Sequence, residues 1–279
     1  MNDKINLEKA REEFKRYVSE FNLEENMISL KYAHSFRVAE TSKELGTYVR
    51  DNIDGSVNVE LAELIGLLHD IGRFEQFKRY GVCEDKDTLD HALLGVQILK
   101  ENDYIYKFCP IEHLQDTMLI AIYYHNKFSL PDGYEGPNMI QSRIIRDSDR
   151  LDIFKYSTDI PFNTLFGKAE IRNEYISEVV FNQIMRGTQV MNTDLSNSMD
   201  EWVKTISFVY DLYYPRSFEI LKREGYVDLL LDRVNSAHNH VKIEEIRRSV
   251  NDFIDSKIGG IQGIIWVKIH FIILKMNRI

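Results

Sequence analysis

The chain has 279 residues, enough for one large domain or a domain with an appended lobe. Hydrophobic side chains make up 44% and charged ones 28%, which excludes wholesale disorder and allows a sizeable core. A formal charge of −9, from 35 basic and 44 acidic residues, argues against binding to a nucleic-acid polymer, which relies on basic surface to displace counterions; a local positive pocket for a small anion stays compatible with it. Five prolines and 14 glycines favour long helices over a many-turned β architecture. In chain order, Leu7, Ala10, Phe14, Val18 and Phe21 recur at helical spacing and predict a first amphipathic helix. A second is predicted over 25–49 and a third over 58–71, with Asn58 as N-cap, Glu60 in the first turn and Gly72 as the stop. A fourth over 87–102 would be capped by Asp87 or Thr88. A fifth covers 112–126, ahead of a loop bearing Pro131, Gly133, Gly136 and Pro137, and a sixth covers 138–156.

The segment 161–167 is a candidate seam. Beyond it, helices are predicted over 172–186, 198–213, 215–223 and 243–257. The isoleucine-rich end, 258–279, is interrupted by Gln262, Lys268 and His270. It is too broken and short for a transmembrane helix, so no stable membrane insertion is expected. A packed terminal element is the expectation there, with an oligomer contact or a membrane-surface helix as the alternatives. Cys83 and Cys109 form no C-x-x-C pair and no disulfide framework, which suits a reducing compartment. Residues 1–16 lack the apolar stretch of a signal peptide, and a cytoplasmic protein is expected.

The chemistry gathers in the first half. His34, the adjacent pair His69-Asp70, His91, His125 and Asp149 fall mostly on predicted helices, in line with apolar neighbours. Leu30, His34 and Val38 stack at four-residue spacing, as do Ile65 with His69, Ala121 with His125, and Ile145 with Asp149 and Ile153. These polar groups therefore point inward. Burying them unpaired costs on the order of several kcal/mol. Converging from separate helices, they could satisfy one another through a divalent cation, with zinc, iron and manganese all suited to mixed His and Asp donors. Taken singly, each residue reads better as a satisfied core polar group; it is the set together that points to a metal.

The ordered set resembles the HD-domain superfamily of metal-dependent phosphohydrolases over roughly residues 25–155. Leu68-His69-Asp70-Ile71-Gly72-Arg73 is similar to that family's H-D-I-G-K/R signature, and Asp147-Ser148-Asp149-Arg150-Leu151-Asp152 to its late acidic helix. His91 in His91-Ala92-Leu93-Leu94-Gly95 and His125 in Tyr124-His125-Asn126 resemble the extra histidines of two-metal members. The resemblance implies an all-α, HD-domain-like bundle, placed over 1–160 with its core at 25–155; the patterns beyond it add a helical C-terminal lobe over 161–257 and an apolar tail over 258–279. It implies a first metal at His34, His69, Asp70 and Asp149, and a second bridged by Asp70 and held by His91 and His125. One or two divalent ions are expected, drawn from Mn, Fe, Zn, Ni or Mg. Such an ion lowers the pKa of its water to about 7 and so supplies hydroxide for in-line attack on phosphorus.

The implied activity is hydrolysis of a phosphomonoester or phosphodiester of a small, nucleotide-like substrate. A cyclic nucleotide or dinucleotide phosphodiesterase and a non-catalytic nucleotide-binding regulator are the alternatives. Asn126 stands where the cyclic-dinucleotide branch has a second histidine, and Pro131–Pro137 loses its G-Y-P order, which counts against a third metal. Alongside Asp70, the candidate catalytic residues are Arg73, which could grip phosphate or pair with Glu75, and Lys127, which could face the same pocket or solvent. Asp152 could orient a ligand or form a surface ion pair. Arg143, Arg146 and Arg150 share a face expected to be solvated. His113, His238 and His240 are expected on the surface. The aromatics from Trp202 to Tyr214 are expected to pack a second lobe. A homo-oligomer stays open.

Overall fold

The computed structural model describes the backbone of residues 4–276 except 84, 86, 87 and 134, and the side chains of those residues except 102 and 260–276. Among the described residues there is no strand, and the chain is all-α, as its periodicity predicts. Its internal contacts divide it into a unit of residues 1–152 and a unit of residues 153–279.

In the first unit, α1 (Leu7–Val18) starts where the Asn6 side chain accepts from the Lys9 N–H at 2.9 Å. It buries Ala10, Phe14, Tyr17 and Val18. The Phe14 ring meets Phe36 and Phe74 edge-on, both at 5.8 Å. α2 (Asn26–Asn52) is long and unbroken, and α3 (Val59–Leu68) begins at the predicted cap, with Asn58 accepting from Leu61 N–H at 2.8 Å. These two helices pack backbone against backbone. A Cβ on Gly66 would stand 2.8 Å from Ala39 Cα and 2.9 Å from the Val38 carbonyl.

Gly72 does not stop α3. The helix ends at Leu68, the chain turns at His69-Asp70, and α4 (Ile71–Tyr80) carries Gly72 in its first turn. The residue is there for clearance: a Cβ would lie 2.1 Å from the His91 carbonyl and 2.7 Å from Gly95 N. The next helix is shorter than the expected 87–102. α5 (His91–Lys100) is capped by Asp90, whose carboxylate accepts from Ala92 and Leu93 N–H, and not by Thr88; Asp87 lies outside the described residues. A 3₁₀ turn (Glu101–Asp103) and α6 (Ile105–Phe108) complete that region. α7 (Glu112–Tyr124) and α8 (Gly136–Ser157) flank the glycine- and proline-bearing loop.

The second unit holds α9 (Phe162–Phe166), α10 (Glu178–Met185), α11 (Ser198–Ser207), α12 (Pro215–Glu224), α13 (Tyr226–Val234) and α14 (His240–Met276). The helix expected over 172–186 starts only at Glu178, because Ser177 caps it by accepting from Val180 N–H. The one expected over 198–213 tightens into a 3₁₀ turn after Ser207, and α13 has no counterpart in the sequence expectations. Trp202 and Tyr214 are buried, as expected of packing aromatics; the Trp202 indole donates to the Leu230 carbonyl at 3.0 Å. α14 continues past residue 257, so the isoleucine-rich end prolongs a helix as far as Met276. The side chains that would decide its role, and residues 277–279, lie outside the described residues. No described helix is long and apolar enough to cross a membrane.

The Gly72 contact is with main chain and cannot relax by side-chain rotation. Gly72→Ala is therefore expected to cost more than about 3 kcal/mol, the upper range of overpacking penalties. Gly55→Ala, where a Cβ meets nothing within 4 Å, is expected to leave the thermal midpoint nearly unchanged. Equal melting curves for the two variants would contradict this account of α4 and α5.

Candidate metal centre

Adjacent residues on a continuous helix point about 100° apart. His69 and Asp70 escape this because the chain leaves α3 between them, Asp70 adopting φ −101° and ψ 15° ahead of α4. Both side chains then reach one buried centre. His34 arrives from the middle of α2, His91 from the first position of α5, His125 from the C-terminal cap of α7, and Asp149 from α8. All four histidines and Asp70 are buried.

The six side chains form two groups sharing Asp70. Its Oδ2 lies 3.5 Å from His34 Nε2 and 3.6 Å from His69 Nε2. Its Oδ1 lies 3.2 Å from His91 Nε2 and 3.7 Å from His125 Nε2. Asp149 Oδ1 joins the first group at 3.2 Å from His34 and 3.6 Å from His69. Donors about 2.1 Å from a common ion stand roughly 3.0–3.4 Å apart at octahedral or tetrahedral angles, so these separations suit a shared cation.

The protonation pattern makes the same point. His69 Nδ1 donates to the Gly66 carbonyl at 2.8 Å and His125 Nδ1 to the Ile122 carbonyl at 2.6 Å. His34 Nδ1 meets Asp152 Oδ2 at 2.6 Å, and His91 Nδ1 meets Asp85 Oδ2 at 2.7 Å. Every one of these partners accepts, so each Nδ1 carries the proton and each neutral ring presents a bare Nε2. Yet the Nε2 atoms of His34 and His69 stand 3.1 Å apart, and those of His91 and His125 stand 3.0 Å apart. Two lone pairs at that distance repel unless a proton or a metal ion lies between them. His34 registers the demand. Burial and Lys31 oppose its charge, but hydrogen bonds to Asp149 and Asp152 outweigh them and raise its pKa. Asp70 and Asp149 are held well below the carboxylate range. Burial opposes their ionisation, and it is overcome by Lys31 and His69 at Asp70 and by His34 and His69 at Asp149. This donor set fits a divalent cation.

Second contacts fix these ligands. Arg37 grips Asp152 through both carboxylate oxygens, at 2.7 and 2.8 Å, and so steadies the partner of His34. Asp152 thus faces inward and is not a surface pair. Asp85 anchors His91, accepts from Asn126 Nδ2 at 3.2 Å, and is pushed strongly down in pKa: His91 and Arg73 prevail over its burial. The expected solvated face on α8 is a misreading: Arg146 and Arg150 are buried and Arg143 is half-buried. Arg146 donates to the carbonyls of Tyr124 at 2.9 Å, Lys127 at 2.5 Å and Phe128 at 3.2 Å, clasping the end of α7 that bears His125. Tyr124 ends α7, its carbonyl also accepting from Lys127 N–H at 3.3 Å, and the Lys127 and Phe128 carbonyls lie just past the helix, so a buried guanidinium is at home among them.

Arg73 pairs with Asp85 at 2.9 Å and not with Glu75, which takes Arg79; its Nε stands 3.6 Å from Asp70 Oδ1. Lys127 pairs with Asp90 and lies over the Tyr123 ring. His113, His238 and His240 are exposed, as expected. Lys31 was missed: its ammonium sits 2.7 Å from Asp70 Oδ2. Its position three residues before His34, on the same helix face, was the available signal. Asp85 also escaped notice, because it lies in an irregular segment without periodicity.

Two predictions follow from the geometry. Burial, with the neighbouring His91 and His69, pushes His125 down to about 4 despite Asp70. The unfolded chain then binds the extra proton first, so metal-free protein loses stability as pH falls from about 6.5 to about 4. His34, shifted upward, contributes stability below about 6.5 that is lost at higher pH, in a separate window. Urea titrations of chelated protein and His125→Asn across pH 4–7 check this; equal slopes for both proteins over that interval contradict it. Adding manganese or zinc is expected to raise the melting temperature, through about 2.7 kcal/mol of added stability at a hundredfold excess over Kd, and elemental analysis should show His125→Ala holding fewer ions. An unchanged count would reduce the centre to one ion.

Residues 32–153 match the family model described as HD domain. No curated protein matches the chain, and no solved structure matches it.

Proposed function

Since residues 32–153 of this chain are an HD domain, the mark of a superfamily of metal-dependent phosphohydrolases, we propose that it hydrolyses a phosphoester of a small, nucleotide-like substrate. The observation that carries this reading is Asp70, one carboxylate with an oxygen turned to each of two histidine pairs whose Nδ1 atoms are already engaged. In this reading His34, His69, Asp70 and Asp149 hold one ion, while Asp70, His91 and His125 hold another. The proposed domain spans 1–160, with 161–257 as an appended lobe and 258–279 as its tail.

When bound, divalent ions supply water activated at neutral pH and neutralise phosphate charge. The chain's own groups do the rest. Asp70 fixes the spacing of the two donor groups, and Asp152 and Asp85 hold His34 and His91 in the Nδ1–H form. Lys31 is the cation best placed for a substrate phosphate. Once Asp70 Oδ2 is engaged elsewhere, its ammonium is released from that contact and can donate to a phosphate oxygen. Arg73 and Lys127, assigned the same task from the sequence, would first have to leave Asp85 and Asp90. Asn126 spends its Nδ2 on Asp85 and Asp90 and brings no imidazole to the centre, which supports a phosphohydrolase without cyclic-dinucleotide specificity.

The test is turnover of p-nitrophenyl phosphate, bis-p-nitrophenyl phosphate and a nucleotide panel with added manganese. Asp70→Ala is expected to lower kcat/KM by roughly a thousandfold or more, and Lys31→Ala to raise KM by about tenfold, the worth of one hydrogen bond to a charged group. Tight metal binding with no turnover on any substrate would favour the non-catalytic nucleotide-binding alternative.

A further inference from the structure

The two halves of the metal centre are held in different ways. In each half one ring gives its Nδ1–H to a main-chain carbonyl, and the other gives it to an aspartate that an arginine also holds. Behind His34 stand Asp152 and Arg37; behind His91 stand Asp85 and Arg73. Asp152 rides on α8, the helix that also carries Asp149, and its side chain is 2% exposed. Asp85 belongs to no helix, and its side chain is 34% exposed. Helix geometry therefore places the partner of His34, whereas side-chain contacts must place the partner of His91.

Those contacts converge on Gln76 of α4, which is fully buried. Its Nε2 lies 3.0 Å from Asp85 Oδ1, 2.7 Å from Thr88 Oγ1 and 2.7 Å from the Leu89 carbonyl. One amide thus spends both its N–H donors on the segment that carries Asp85. Its Oε1 accepts from Arg73 Nη1 at 2.9 Å, and the same nitrogen lies 2.6 Å from the Cys83 carbonyl and 2.9 Å from Asp85 Oδ1. These partners fix which way the amide faces. Turned over, its NH₂ would meet a guanidinium and its oxygen would meet a carboxylate and a carbonyl. Gln76 has a firm base, because the first turn of its helix rests on the main chain of α5 at Gly72. From Gln76 the contacts run to Asp85, then to His91 Nδ1, and the His91 Nε2 stands 3.2 Å from Asp70 Oδ1.

We propose that Gln76 is a positioning residue for the second ion: by holding Asp85 behind His91 it keeps the His91 Nε2 turned to Asp70, and so decides whether the centre takes up one ion or two. The first group, held from α2, α3 and α8, does not depend on it. This role rests on the two-ion reading of the centre and on no particular substrate.

The experiment is isothermal titration of the metal-free full chain with manganese, followed by elemental analysis of the loaded protein. The unaltered chain is expected to show two binding steps. Gln76→Glu keeps the shape and the acceptor for Arg73 but turns a carboxylate oxygen towards Asp85. It is expected to weaken the second step by about tenfold or more, the usual worth of a contact behind a metal ligand, and to leave the first within about twofold. Gln76→Met, which fills a similar volume without the amide, should do the same, so the result does not hang on one variant folding. Asp85→Asn, at a partly exposed position, should weaken the same step. Because Gln76 acts through Asp85, combining Gln76→Met with Asp85→Asn should cost no more than Asp85→Asn alone. A glutamine that only stabilised the fold would lower the melting temperature and leave the ratio of the two steps as it was. An unchanged ratio in the Gln76 variants, equal weakening of both steps, or additive losses in the double variant would each overturn the proposal while leaving the two-ion reading in place. A single step and a single ion in the unaltered chain would overturn both.

Discussion

Four imidazole lone pairs converge in the buried interior of the first unit, which is built around that convergence. Each ring has given its Nδ1 proton to an acceptor: two to main-chain carbonyls and two to carboxylates. The Nε2 atoms are left facing one another in pairs at 3.0 and 3.1 Å. Neutral imidazoles do not rest at such distances without a positive charge between them. Asp70 and Asp149 add negative charge to the same volume and are held ionised there. The arrangement is an anionic, lone-pair-rich cavity that a divalent cation satisfies, and its cost is met by the surrounding core of α1 to α7.

Helix ends do much of the positioning. His69 and His125 both sit at the C-terminal cap of their helices, and both return Nδ1–H to the carbonyl three residues back. The same bond satisfies an orphan carbonyl and orients the ring. Arg146 extends the pattern from the neighbouring helix by donating to carbonyls at and just past the end of α7. One set of contacts therefore both terminates a helix and aims a ligand.

The all-α class and the inward histidines were legible because helical periodicity marks buried faces, and His34 and Asp149 lie in such rows. Asn58 was legible as a cap because it precedes an acidic first turn. Gly72 was not: a glycine needed for close packing has the same letter as one that ends a helix. Arg146 and Arg150 were read as solvated because arginine at helical spacing usually is; what buries Arg146 is the end of α7, which pattern on α8 alone does not reveal. Asp85 and Asp90 became visible only once the loop they occupy was folded back onto His91, Asn126 and Lys127.

The contact at Gly72 has a consequence for how the two donor groups are held. The first turn of α4, just past Asp70, touches the main chain of α5 at His91 and Gly95. Polypeptide backbone is far stiffer than side-chain packing, so this contact acts as a fixed ruler between the shared carboxylate and the second histidine pair. Exchanges of one aliphatic residue for another elsewhere in the core can drift without resetting that gauge. The tolerance is set by a single missing methyl group.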